Sequence, residues 1–142
     1  MIKQISVFLE NKSGRLVRVA EVLGQAGINI RGLSIADTSD FGILRLIVDQ
    51  PDKAITELKD KGIMATETEV IAMEVPDTPG GLAEVLRYLD GASINIEYLY
   101  SFIEKPTSNA IIMMRVERIN DALDVLKEKG IPIVTGERIY KF

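Results

Sequence analysis

Residues 11–30 read NKSGRLVRVAEVLGQAGINI, and residues 77–96 read DTPGGLAEVLRYLDGASINI. Set one over the other without a gap, they agree at eight of twenty positions. Gly14 meets Gly80, Leu16 meets Leu82, Val19 meets Val85, Leu23 meets Leu89 and Ala26 meets Ala92, while Ile28, Asn29 and Ile30 meet Ile94, Asn95 and Ile96. Self-similarity at a fixed offset is the mark of one structural unit built more than once. Further along, the offset grows from 66 to 68: FGILRLIVD (41–49) faces NAIIMMRVE (109–117), and AITELKDKGI (54–63) faces ALDVLKEKGI (122–131). The two extra residues fall between ADTSDFG (36–42) and FIEKPTSNA (102–110). Both stretches read as hairpin turns, where insertions are tolerated.

Around this core each half reads as strand, helix, strand, strand, helix, strand. In QISVFLE the residues Ile5, Val7 and Leu9 alternate, the period of a strand with one buried face. Leu16, Val19, Ala20, Leu23 and Ala26 recur at helical spacing, as do Leu82, Val85, Leu86, Leu89 and Ala92, and predict two core-facing helices. Pro79 suits the first turn of a helix, where a missing N–H costs nothing. Pro51 opens a second helix with Ala54, Ile55 and Leu58 on its buried face. Gly62 and Gly130 follow Lys-rich last turns, as helix C-caps do. The order βαββαβ predicts an α+β protein of two fused ferredoxin-like units, each an antiparallel sheet with both helices on one face.

The expected division is 1–68 and 69–142. Residues 68–74 are claimed twice, as the last strand of the first half and the first strand of the second. The last strand of the second half is expected over IPIVTGERIYKF, residues 131–142. No Gly or Pro interrupts Ile63 to Val75, so the units are expected to be fused tightly, without a linker.

Composition narrows the function. The chain has 142 residues, a net charge of −4 and no basic stripe, which argues against a nucleic-acid partner. It has no Cys and no His, which excludes disulfides, thiol nucleophiles, imidazole bases and the usual zinc sites. No motif calls for a cofactor or metal. The N-terminal MIKQISVFLENK carries no apolar export signal, and GILRLIV (42–48) and AIIMM (110–114) are too short to span a bilayer. A cytoplasmic protein without a membrane partner is expected.

ENKSGRL (10–16) followed by AGINI (26–30), and PDTPGGL (76–82) followed by ASINI (92–96), resemble the ACT domain. That family's pattern is an Asn or Asp, then Pro-Gly-X-Leu opening the first helix, then Gly-hydrophobic-Asn-Ile leading into the second strand. The resemblance covers nearly the whole chain, once per half. It departs at Ser13, where the family usually has Pro, and at Ser93, where it often has Gly. The first half is most similar to the regulatory small subunit of acetolactate synthase, and the whole resembles a stand-alone tandem ACT protein.

The resemblance implies a small regulatory ligand, most often an amino acid, held at the interface of paired domains. It places the ligand-binding residues at Asn11, Ser13, Gly14, Arg15, Leu16, Ile28, Asn29 and Ile30 in the first copy. In the second they are Asp77, Pro79, Gly80, Gly81, Leu82, Ile94, Asn95 and Ile96. Elementary chemistry agrees. Backbone N–H groups at a helix start are unpaired and lie at the positive end of the dipole, so they suit a carboxylate. Gly14 and Gly80 let a ligand approach the backbone. Asn11, Asp77 or a strand carbonyl can accept from an ammonium, and Asn29 and Asn95 can donate and accept. Each residue also has a purely structural use. Asn and Asp stabilise turns, glycines relieve crowding, and an Asn at a helix–strand junction bonds the backbone.

The copies differ. Asp77 is charged where Asn11 is neutral, and Gly81 is bare where Arg15 carries a long cation, so unequal affinities are expected. Tyr98, Tyr100 and Phe102 alternate along one strand face and are expected to serve packing first. Three functions compete. The first is a non-enzymatic amino-acid-binding regulator, and the second a regulatory subunit of a separate amino-acid biosynthetic enzyme such as acetolactate synthase. The third, a small enzyme, is the weakest without His, Cys or paired carboxylates. Exposed sheet edges make a homodimer a natural expectation.

Overall fold

Strand β1 (Ile2–Glu10) puts Ile5, Val7 and Leu9 on one face, and helices α1 (Arg15–Gln25) and α2 (Pro51–Asp60) cover that face. The structure is a computed structural model and describes residues 1–37, 40–103 and 107–142. In the first unit, β2 (Ile30–Asp37) and β3 (Phe41–Val48) form an antiparallel hairpin, and β3 also pairs antiparallel with β1. With β4 (Ala65–Val75) the strand order is β2-β3-β1-β4. The register sets Ile5 opposite Leu46 and Val7 opposite Leu44, so the apolar alternation of both strands lands on the helix side. There it meets Val19, Val22 and Leu23 from α1 and Ala54 and Leu58 from α2. Each fully buried Leu here is worth about 1.5–3 kcal/mol of burial.

The second unit repeats the plan. Strand β4 lies beside β6 (Ala110–Val116), which pairs antiparallel with β5 (Ile96–Ser101). Helices α3 (Gly81–Gly91) and α4 (Ile119–Glu128) bury Val85, Leu89, Ala122 and Leu126 against Ile71, Met73, Met114 and Val116. The α+β reading, two ferredoxin-like units with helices on one face, is what the chain forms.

Strand β4 runs unbroken through 68–74, and the backbone divides into compact units inside it, between Thr68 and Glu69. Lys3–Thr68 with Lys141 make the first unit, and Met1–Ile2, Glu69–Tyr140 and Phe142 the second.

Three expectations need correction. The final strand does not extend over 131–142: β7 is only Ile133–Val134, paired with β4 at Met73 and Ala72. Thr135 stops it by capping a short helix α5 (Gly136–Ile139), its side chain accepting from the Arg138 N–H, and Ile139 of that helix is buried. Pro79 does not sit in the first helical turn, because the helix starts at Gly81 and Pro79 precedes its cap, Gly80. The helical stripe is also shifted. Val22 is buried, whereas Leu16 and Ala20 are exposed, so Leu16 is not core although its counterpart Leu82 packs partly against the second core. The insertion assigned to the hairpin turns falls on residues 38–39 and 104–106, which lie outside the described residues.

All four long helices end the same way. Ile28, Ile63, Ile94 and Ile131 donate their N–H to the carbonyls of Leu23, Leu58, Leu89 and Leu126. The residue before each Ile takes a left-handed conformation: Gly27 at φ 74°, Gly62 at 74°, Gly130 at 73°, and Ser93 at 57°. This is a Schellman close with its apolar contact, and it asks for Gly. Ser93 alone carries a side chain into that region. Ser93→Gly is therefore expected to stabilise the protein by about 0.5–1 kcal/mol, since relief of left-handed strain exceeds the entropy that Gly adds to the unfolded chain. Urea denaturation measures this, and a loss of stability would contradict it.

Candidate functional site

The segment Asn11–Gly14 turns the chain from β1 into α1. Gly14 caps the helix at φ 87° without a side-chain cap, and Gly80 does the same for α3 at φ 83°. A Cβ at either would meet nothing within 4 Å, so these glycines relieve no crowding; the backbone angle alone requires them. The turn closes on itself, with the Arg15 N–H donating to Lys12 O at 3.3 Å and the Gly81 N–H to Thr78 O at 3.0 Å. Among the described residues the next two N–H groups of each helix, Leu16 and Val17, and Leu82 and Ala83, have no partner. Two such donors at the positive end of an eleven-residue helix suit an anionic oxygen.

In the first unit this turn opens onto a cleft of about 160 Å³ lined by Glu10, Asn11, Lys12, Arg15 and Leu16, with Ile35 and Gly42 opposite. Asn11, Arg15 and Leu16 thus come together, and exposed Leu16 becomes a wall. Ser13 and Gly14 stand exposed on the same turn. Glu10 and Lys12 form an exposed ion pair at 3.0 Å. The Lys12 hydrogen bond, then its charge, then the Arg15 charge hold the Glu10 carboxyl below its ordinary range. A lowered carboxylate pKa means that the pairing persists above the unfolded-state value and is lost as pH falls through the folded one. Lys12→Ala is expected to raise the Glu10 midpoint in an NMR titration; an unmoved midpoint would contradict this.

The second copy is built differently at the same place. Pro76 stands where the first copy has Glu10, and a Cβ on Gly81 would overlap the Pro76 carbonyl oxygen and lie 3.0 Å from its carbon. Gly81 is buried there, whereas Arg15 is exposed. The missing side chain at Gly81 is thus a packing requirement. Asp77, Pro79 and Gly80 are exposed on the turn, and Leu82 is half-buried.

Ile28, Asn29 and Ile30, and Ile94, Asn95 and Ile96, lie at the far ends of α1 and α3. Eleven residues at 1.5 Å each put them roughly 16 Å from the turn of their own unit. Ile28 and Ile94 are core residues, and Ile30 and Ile96 pack against the cores. Asn29 exchanges backbone bonds with Asp49: its N–H donates to Asp49 Oδ1 at 3.0 Å and its carbonyl accepts from the Asp49 N–H at 3.1 Å. The Asn95 carbonyl accepts from the Glu117 N–H, and its Nδ2 donates to Glu117 Oε1 at 3.2 Å. Gln50 and Lys53 then reach the carbonyls of Gly27 and Ala26 just past α1, and Arg118 those of Ala92 and Ser93 just past α3. Both asparagines therefore join a helix end to the strand–helix junction beside it. In the second unit, Glu117–Asp121 line a cleft of about 350 Å³.

Immediately after each Asn-Ile pair the strand bulges, between Ile30 and Gly32 and between Ile96 and Tyr98, leaving Arg31 and Glu97 as the extra residues. The signal was present: Ile30-x-x-Leu33 and Ile96-x-x-Leu99 both break period two by one residue. Beyond the bulge Tyr98 and Tyr100 stack with centroids 6.5 Å apart, and Phe102 meets Phe142 edge-on at 6.1 Å. Among the described residues no group of acidic side chains is placed to hold a metal, and no helix is long and apolar enough to cross a membrane.

Known proteins carry the same plan. A family model of the ACT domain pair matches residues 1–142. The crystal structure of protein BT0572 from Bacteroides thetaiotaomicron is 43% identical, with a TM-score of 0.92 over 99% of this chain and 96% of that one. The ligand-free regulatory subunit of aspartate kinase from Thermus thermophilus shares the fold, at 18% identity and a TM-score of 0.63 over 89% of this chain and 91% of its own. The acetolactate synthase small subunit of Buchnera aphidicola subsp. Baizongia pistaciae (strain Bp) is 37% identical over 54 residues, 37% of this chain. That match spans about a third of the relative's length, 34%. Built twice from one turn, helix and strand plan and matched from end to end, the chain belongs to the ACT domain pair family.

Proposed function

We propose that the protein is a non-enzymatic sensor of a free amino acid, bound at the glycine-capped turn that opens the first helix of a unit. The observation that supports this most is the pair of unpartnered N–H groups, Leu16 and Val17, beside a cleft that also holds Arg15 and Asn11. The ligand carboxylate takes those N–H groups and the Arg15 guanidinium, and the Asn11 side-chain oxygen accepts from the ammonium. Binding regulates only as far as the ligand favours one state of the protein over another. At the second turn Asp77 replaces Asn11, and its charge attracts an ammonium more strongly. Two unequal affinities are expected in calorimetry, with the tighter one weakened in Asp77→Ala; two identical sites would count against this.

Thermal denaturation against the standard amino acids tests the proposal. At one hundred times its dissociation constant a ligand stabilises by about 2.7 kcal/mol, so one or a few amino acids should raise the melting temperature by roughly 5–10 °C. No shift with any of them would remove the sensing reading. A second reading, a regulatory subunit of a separate amino-acid biosynthetic enzyme, is favoured by the likeness of 54 residues to an acetolactate synthase small subunit. Co-purification with a synthase, without any ligand shift, would support it instead.

A further inference from the structure

A second, larger cleft of about 430 Å³ lies on the other side of Arg15, in the same unit, between α1 and the turn from α2 into β4. Its described charged lining is Arg15, Arg18 and Lys61 against Glu10 alone, in a chain whose net charge is −4. Arg18 Nη2 reaches the Lys61 carbonyl at 3.4 Å and ties the helix to the turn. The Arg15 guanidinium and the Lys61 ammonium have no hydrogen bond or ion pair with a described residue. The remaining walls are apolar. Phe8, Phe41 and Met64 line the cleft while 52%, 59% and 67% exposed, and buried Val19 also lines it. Three large apolar side chains, each more than half exposed beside a cluster of cations, are unusual for a surface that binds nothing.

We infer that this cleft binds a small carboxylate with an apolar body and no amino group. The carboxylate lies against Arg15, Arg18 and Lys61, and the hydrocarbon covers Phe8, Phe41 and Met64. An added ammonium would meet three cations and a single carboxylate in the described lining. The Glu10 carboxylate is engaged by Lys12 at 3.0 Å, and the Lys61 carbonyl by Arg18. The site shares Leu9, Glu10 and Arg15 with the cleft at the proposed amino-acid turn, but the inference does not depend on that reading. Arg18 and Lys61 line only this cleft, and Asn11 and Leu16 only the other.

The probes are isocaproate, its neutral amide isocaproamide, and leucine, which has the same carbon skeleton as isocaproate plus an ammonium. In an amide-resolved NMR titration of the full chain, isocaproate should shift Gly62, Ile63 and Met64. Isocaproamide should bind at least tenfold more weakly. Arg18→Gln combined with Lys61→Gln should weaken isocaproate at least tenfold while keeping the folded spectrum, and Asn11→Ala should leave it unchanged. The inference is overturned if isocaproate shifts nothing near Gly62, if isocaproamide binds as well, or if the double variant binds normally. Leucine shifts confined to Gly14–Val17 bear on the turn alone. Their absence, with isocaproate still seated at Gly62, would sink the amino-acid reading and leave this one standing.

Discussion

Gly81→Ala is expected to lower the melting temperature by roughly 6–12 °C, corresponding to about 3 kcal/mol. The added Cβ meets the carbonyl group of Pro76, which is backbone and cannot rotate away. The clash is with backbone rather than the end of a flexible side chain, so relief must come from shifting the chain at Pro76 or the start of α3. Gly80→Ala and Gly14→Ala supply the contrast. Their Cβ atoms find open space, so each costs only left-handed strain, about 1–2 kcal/mol. Equal losses at Gly80 and Gly81 would show that crowding by Pro76 is not what keeps Gly81 bare.

Arg15→Glu should weaken amino-acid binding at the first turn by about 100-fold, because a charge-assisted hydrogen bond is worth about 1.5–3 kcal/mol and the replacement repels the ligand carboxylate. Stability should stay within about 0.5 kcal/mol of the parent, since Arg15 is exposed and a carboxylate suits a helix N-terminus. The two readouts move apart, and that separation marks a ligand contact. Calorimetry showing unchanged affinity would remove Arg15 from the site. Asn29→Ala serves as the companion. Its described bonds are backbone only, so stability should again change by less than about 0.5 kcal/mol.

Much of the fold was legible because repetition doubled every weak signal. The helices after Gly14 and Gly80, the hairpins and the Gly62 and Gly130 closures each had a partner in the other copy. Position-specific packing was not legible. Nothing in the one-dimensional pattern says that Pro76 would press on Gly81, that Leu16 would line a cleft while Leu82 packs inward, or that Thr135 would end β7 after two residues. The bulges at Arg31 and Glu97 were visible only as a broken alternation. The site was legible as a set of residue types but not as a constellation. Within one unit the turn and the Asn-Ile junction occupy opposite ends of a helix. Asn29 and Asn95 have structural partners of their own in Asp49 and Glu117.

The most direct test is an amide-resolved NMR titration of the full chain with whichever amino acid raises the melting temperature most. Saturable shifts should centre on Gly14, Arg15, Leu16 and Val17, with a matching set of different affinity at Gly80–Ala83. An amino acid that stabilises the protein while leaving the amides of Leu16, Val17, Leu82 and Ala83 unmoved would contradict binding at the glycine-capped turns.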